Sequence, residues 1–72
     1  MKVYYFNINL DKHGNHVVHS QDCKYLPKIE NRKLIGRYQD CEQALRAASY
    51  LNYQANFEGC HFCCGECHRT NS

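Results

Sequence analysis

Hydrophobic and polar residues alternate over positions 3–10, VYYFNINL, near the start of the chain. The residues that share one face of this alternation are Tyr4, Phe6, Ile8 and Leu10. A two-residue period of this kind predicts a half-buried β-strand. The next residues, DKHGN, predict a turn, because Gly14 and Asn15 both tolerate a positive φ. HVVHS, positions 16–20, then predicts a second strand that pairs with the first as a β-hairpin.

The second half of the chain changes from a strand pattern to a helical one. Residues 33–38, KLIGRY, predict a short third strand with a bulge at Gly36. Apolar residues at three- and four-residue steps over positions 41–55 predict an α-helix. Asp40 provides its N-cap, and Gln43, three residues further on, completes a capping box. The order of elements predicts a single α+β domain over 1–72, in which the hairpin, third strand and helix precede a cysteine-rich C-terminal knuckle.

The size of the chain calls for a stabilising crosslink. A domain of 72 residues buries a small share of its unfolded surface and usually needs a metal, disulfides or a partner. The six cysteines and five histidines provide the means. The start of the chain lacks the pattern of a signal peptide, and no apolar run is long enough for a membrane span. We therefore expect a cytoplasmic protein without a membrane partner, whose reduced thiols bind metal rather than form disulfides.

Two ligand pairs have the spacing of a structural zinc site. Cys60 and Cys63 form a Cys-x-x-Cys turn, and His19 and Cys23 lie where the second strand runs into a loop. Structural zinc takes four cysteine or histidine ligands, usually as two pairs that are each local in sequence. The sequence thus predicts one Zn²⁺ bound by three cysteines and a histidine, and no catalytic residues.

The remaining residues of the segment GCHFCCGECH leave other readings open. Cys64, Cys67 and His68 are either partly exposed thiols or a second metal site. In a shifted register, Cys64 and Cys67 would replace the first Cys-x-x-Cys pair at the zinc. The same residues match the Cys-x-x-Cys-His motif for c-type haem attachment, with His68 as the axial ligand.

The residue pattern also resembles a known family. The runs HVVHSQDCKYLP, EN, GRYQDCEQALRAA and GCHFCC, within positions 16–64, are similar to the metal-binding domain of Ada-type DNA-repair methyltransferases. The resemblance implies the same small zinc fold and the same four ligand positions. In that family the first ligand is a cysteine that accepts a methyl group from DNA, and His19 occupies that position here. Cys64 and Gly65 replace the family's arginine-proline, so the resemblance does not extend to methyl transfer or to phosphate binding.

These observations favour a non-enzymatic zinc module that binds another macromolecule, either a protein or a nucleic acid, as a monomer. The net charge of +2 gives no strongly basic face of the kind that marks nucleic-acid binding. Two other functions stay open. One is a thiol-reactive protein, a methyl acceptor or a redox protein, that uses cysteines of the C-terminal cluster. The other is a metal buffer or sensor.

Overall fold

A computed structural model describes residues 1–51 and 55–64 and shows one helix packed on a four-stranded sheet. The elements in chain order are β1 (Lys2–Asn7), β2 (His16–Ser20), β3 (Arg32–Tyr38), α1 (Cys41–Leu51) and β4 (Phe57–Gly59). A short 3-10 helix, Ile29–Asn31, precedes β3. The α+β class predicted from the sequence is confirmed.

The sheet is mixed, with the strand order β3-β1-β2-β4. β1 pairs antiparallel with β2 and with β3, whereas β2 and β4 are parallel. The predicted hairpin is therefore confirmed, and Gly14 in its turn has a φ of +81°. The bulge predicted at Gly36 is confirmed as well. Tyr4 lies opposite Gly36 and Tyr5 opposite Leu34, so that Ile35 is the additional residue of β3.

The core lies between the sheet and α1 and is built from few large side chains. Tyr4, Phe6 and Val18 contribute from the sheet, and Ala44 and Ala48 face them from the helix. The small alanines let the helix backbone approach the strands closely. The N-cap is confirmed, since the Asp40 carboxylate accepts a hydrogen bond of 3.0 Å from the third residue of α1.

Two predicted boundaries differ from the structure. β1 ends at Asn7, and both Ile8 and Leu10 are exposed rather than in the core. The Ile8 amide donates to the Asn31 carbonyl at 3.0 Å, but the Asn31 amide donates to the Lys28 carbonyl at the 3-10 helix, so the β1–β3 ladder ends there. α1 ends at Leu51, and Ala55 lies in a bend. The predicted helical positions 52–54 lie outside the described residues.

The sequence pattern does not predict the fourth strand of the sheet, β4. β4 has three residues, FEG, which is too short for a period of two to be seen. Its pairing with β2 is nonetheless central to the fold, because it positions the cysteine knuckle beside the hairpin.

Candidate metal centre

The parallel pairing of β2 and β4 brings the two predicted ligand pairs to one edge of the sheet. Parallel strands end at the same edge, so the residues at and after their last positions become neighbours. Val18 lies opposite Gly59, and the Cys60 amide donates to the Val18 carbonyl at 2.9 Å. His19 on β2 and Cys60 after β4 therefore meet, although they are far apart in the sequence.

A tight turn then returns each chain segment toward the same point. After β2, the Cys23 amide donates to the Ser20 carbonyl at 3.1 Å. The Ser20 hydroxyl donates to Asp22 at 2.6 Å and holds this turn. After β4, the Cys64 amide donates to the Cys60 carbonyl at 2.8 Å, which closes the knuckle around Cys63.

The four side chains converge closely enough to hold one metal ion, and three of the distances between their ligand atoms are near those of a tetrahedral zinc site. The ligand atoms of His19, Cys23, Cys60 and Cys63 all lie within 4.8 Å of one another. Zinc–sulfur bonds of about 2.3 Å and zinc–nitrogen bonds of about 2.0 Å place two sulfurs about 3.8 Å apart, and a sulfur and a nitrogen about 3.5 Å apart. The Cys23 and Cys60 sulfurs are 3.8 Å apart. His19 Nδ1 is 3.5 Å from the Cys23 sulfur and 3.9 Å from the Cys63 sulfur.

The fold shifts the pKa values of two of these side chains, His19 and Cys63, and both shifts bear on the exchange of protons for a metal cation. Burial lowers the pKa of His19, which keeps the imidazole neutral and ready to donate its lone pair. Burial raises the pKa of Cys63, and the neighbouring sulfurs of Cys23, Cys60 and Cys64 act in the same direction. The Ser20 amide, 3.4 Å from the Cys63 sulfur, acts in the opposite direction by donating to it. The Cys63 thiol therefore stays protonated until a metal ion replaces its proton.

The other predicted site residues are placed differently. Cys64 is fully buried, belongs to the hydrophobic core and does not join the four-residue cluster. Cys67 and His68 lie outside the described residues, so the second metal site, the shifted register and the haem motif stay predictions. Cys41, in the first turn of α1, is also buried in the core.

One contributor to the site could not be seen in the sequence. The Ser20 amide donates to Cys63 from the backbone, and a backbone donor leaves no residue-type signal. Such N–H to sulfur hydrogen bonds orient the ligands of a metal and tune their basicity.

Comparisons with known proteins identify no relative. No protein-family model, no curated protein and no solved structure matches the chain significantly. The likeness to the Ada-type domain therefore depends on its residue pattern alone. In the part of the chain that the structure describes, no helix has the length and apolar character needed to cross a bilayer.

Proposed function

We propose that the protein is a zinc-stabilised binding module. In it, His19, Cys23, Cys60 and Cys63 hold one structural Zn²⁺, and the domain presents its surface to a macromolecular partner. The observation that carries the proposal is the convergence of four ligand atoms to within 4.8 Å of one another, two from the end of β2 and the following turn and two from the turn after β4. Because thiolate ligands must stay reduced, we place the protein in a reducing compartment such as the cytoplasm.

The donor set favours zinc in a structural role. Three soft sulfur ligands and an imidazole suit Zn²⁺ better than the oxygen-preferring Mg²⁺ or Ca²⁺. Four protein ligands complete a tetrahedron, whereas catalytic zinc sites keep one position for water or substrate. The burial of His19 and Cys60 supports a closed site of this kind.

The Ada-type pattern supports the ligand positions and not the chemistry of that family. His19 stands where the pattern has a cysteine that accepts a methyl group. A zinc-bound imidazole lacks the thiolate that such a transfer uses as its nucleophile. We therefore propose a related zinc fold that does not transfer methyl groups.

Metal analysis of a matched pair of variants tests the proposal. Cys23→Ser removes one ligand, and Cys41→Ser makes the same change at a buried cysteine outside the cluster. Each protein is purified under reducing conditions, and zinc is measured by elemental analysis after dialysis against a weak chelator. We expect one zinc per chain in the natural protein and in Cys41→Ser, and a large loss of zinc in Cys23→Ser. Both variants lose a thiol, so a general thiol effect would reduce zinc equally in both.

Three results would contradict the proposal in different ways. Zinc retained fully by Cys23→Ser would mean that other sulfurs bind it. More than one tightly bound zinc per chain would favour the metal buffer. A single cysteine that limiting iodoacetamide alkylates much faster than the others, in the zinc-loaded protein, would favour the thiol-reactive function.

A further inference from the structure

A small cavity lies next to the metal centre and shares Cys60 with it. Its volume is about 230 Å³, and it is lined by Asp11 from the hairpin turn, Val17 from β2, Tyr25 from the loop after Cys23, and residues 58–62. This volume is below the ~300 Å³ at which small-molecule pockets usually begin. The cavity therefore fits one long side chain better than a metabolite.

Two exposed aromatic rings form one wall of this cavity. Tyr25 and Phe62 pack with their ring centroids 4.4 Å apart, at an angle of 33°, and His61 meets Phe62 edge-on at 5.1 Å. Tyr25 is 49% exposed and Phe62 is 65% exposed. Exposed aromatic rings that already pack against each other form a ready contact surface for a partner.

The metal ligands position these rings. Tyr25 is two residues after Cys23, and Phe62 lies between Cys60 and Cys63. Once a metal joins the two chain segments, the ring pair is fixed as well, so a partner would not have to order it on binding.

Two acidic residues, Asp11 and Glu58, are among those that line the cavity, whose lining is otherwise mostly apolar. Burial alone would raise the pKa of Asp11, but the amides of Asn15 and His13 donate to its carboxylate at 2.9 and 2.8 Å and hold that pKa below its ordinary value. Asp11 is therefore ionised at neutral pH.

A cation of the chain itself already contacts one of the two aromatic rings. The Lys24 ammonium lies 5.4 Å from the centroid of the Tyr25 ring. The negative face of an aromatic ring attracts ammonium and guanidinium groups at such distances. The rings and carboxylates together thus provide both features that a cationic side chain requires.

We infer that this cavity binds a lysine or arginine side chain of a partner protein, with its charge near Asp11 and Glu58 and its stem against Tyr25 and Phe62. The inference rests on the proposed function, since the zinc fixes the rings. A single-stranded nucleic acid would also stack on aromatic rings, but its phosphates would be repelled by the two carboxylates. The charges therefore favour a basic protein segment over a nucleic acid.

Titration of the zinc-loaded protein with defined peptides tests this inference. The probes are a short capped peptide that alternates glycine and arginine, its lysine counterpart, and a counterpart with neutral citrulline in place of arginine. Oligodeoxythymidylate of similar length is the nucleic-acid probe. Binding is followed by backbone amide NMR shifts, which detect weak complexes and show where they form. The variants are Phe62→Ala and Glu58→Gln, with Tyr50→Ala as the control, since Tyr50 is an aromatic residue on α1 with 85% exposure that does not line the cavity.

We expect a cationic peptide to bind with shifts centred on the hairpin turn and residues 58–62, and added salt to weaken it. Phe62→Ala should weaken binding about tenfold, as should citrulline, while Tyr50→Ala leaves it unchanged. Equal binding of the citrulline peptide, equal effects of Phe62→Ala and Tyr50→Ala, or tighter binding of the oligonucleotide would each overturn the inference. Zinc content is measured on every sample. A folded protein with one zinc that ignores both cationic peptides refutes this inference alone, whereas a folded protein without zinc refutes the proposed function.

Discussion

Removal of the metal should leave this fold close to unfolded. Cys23 and Cys60 are 37 positions apart, so a zinc ion that joins them closes a loop over half the chain. If the metal is treated as one crosslink, the lost conformational entropy of the unfolded chain corresponds to about 4 kcal/mol for a loop of this length. A domain of 72 residues has a total stability on the order of 4 to 11 kcal/mol, so this single crosslink accounts for a large share.

The composition of the core makes the stability of the fold depend more strongly on the metal. Of the nine buried hydrophobic residues within positions 1–51 and 55–64, three are cysteines and two are alanines. The four larger ones are Tyr4, Phe6, Val18 and Ile35. So few large side chains bury little apolar surface. In chains of this length, the hydrophobic core alone rarely contributes more than about 3 to 5 kcal/mol to the free energy of unfolding. The loss of about 4 kcal/mol would therefore remove most of the net stability.

Urea unfolding followed by circular dichroism measures this effect. The zinc-loaded protein is compared with protein treated with a strong chelator, both in the presence of a thiol reductant. We expect the free energy of unfolding to fall by at least about 4 kcal/mol, and the addition of zinc to restore it. If elemental analysis shows that the zinc is gone and the two unfolding curves still coincide, the site is not a structural crosslink and the reasoning fails.

Three further predictions concern pH, the helix cap and the glycines. Because burial lowers the pKa of His19 below its ordinary value of 6.5, its neutral form is the stable one in the fold. Stability and zinc content should then be full above that pH and fall as the pH decreases through it. His13→Ala alters an exposed histidine and should leave this pH dependence, measured by chelator competition, the same as in the natural protein. Asp40→Ala should cost about 1 kcal/mol of stability, measured as a lower melting temperature with zinc content unchanged, and an equal melting temperature would refute the cap. Gly14→Ala has free space around the new Cβ and should cost about 1 to 2 kcal/mol from its positive φ alone. Gly36→Ala should cost more, since its Cβ would lie 3.0 Å from a tyrosine ring, and the reverse order of melting temperatures would contradict this geometry.

The sequence predicted those parts of the fold that have local signals. The β1–β2 hairpin has alternation and a glycine turn, and α1 has an apolar stripe and the Asp40 cap. The four candidate ligands were chosen because each pair is local in sequence, and the structure brings all four together. The metal itself stays a prediction.

The parts that the sequence did not predict depend on contacts between distant residues. Ile8 and Leu10 continue the alternation of β1, but the β1–β3 ladder ends at Asn31, whose amide donates to the Lys28 carbonyl instead. β4 owes its conformation to pairing with β2, and three residues show no period of their own. A sequence pattern shows which residues are apolar. It does not show which distant backbone groups accept hydrogen bonds from their amides.

The missed strand and the metal centre depend on each other. A three-residue parallel pairing between β2 and β4 contributes few hydrogen bonds, and parallel pairing is the less stable kind. The metal would hold Cys60 beside His19 and so keep β4 in register. In return, the pairing places Cys60 within bonding range of the ion. If the metal leaves, β4 should detach first and β2 should become an edge strand with exposed amides and carbonyls. Exposed strand edges pair with other chains, so the metal-free protein should aggregate as well as unfold.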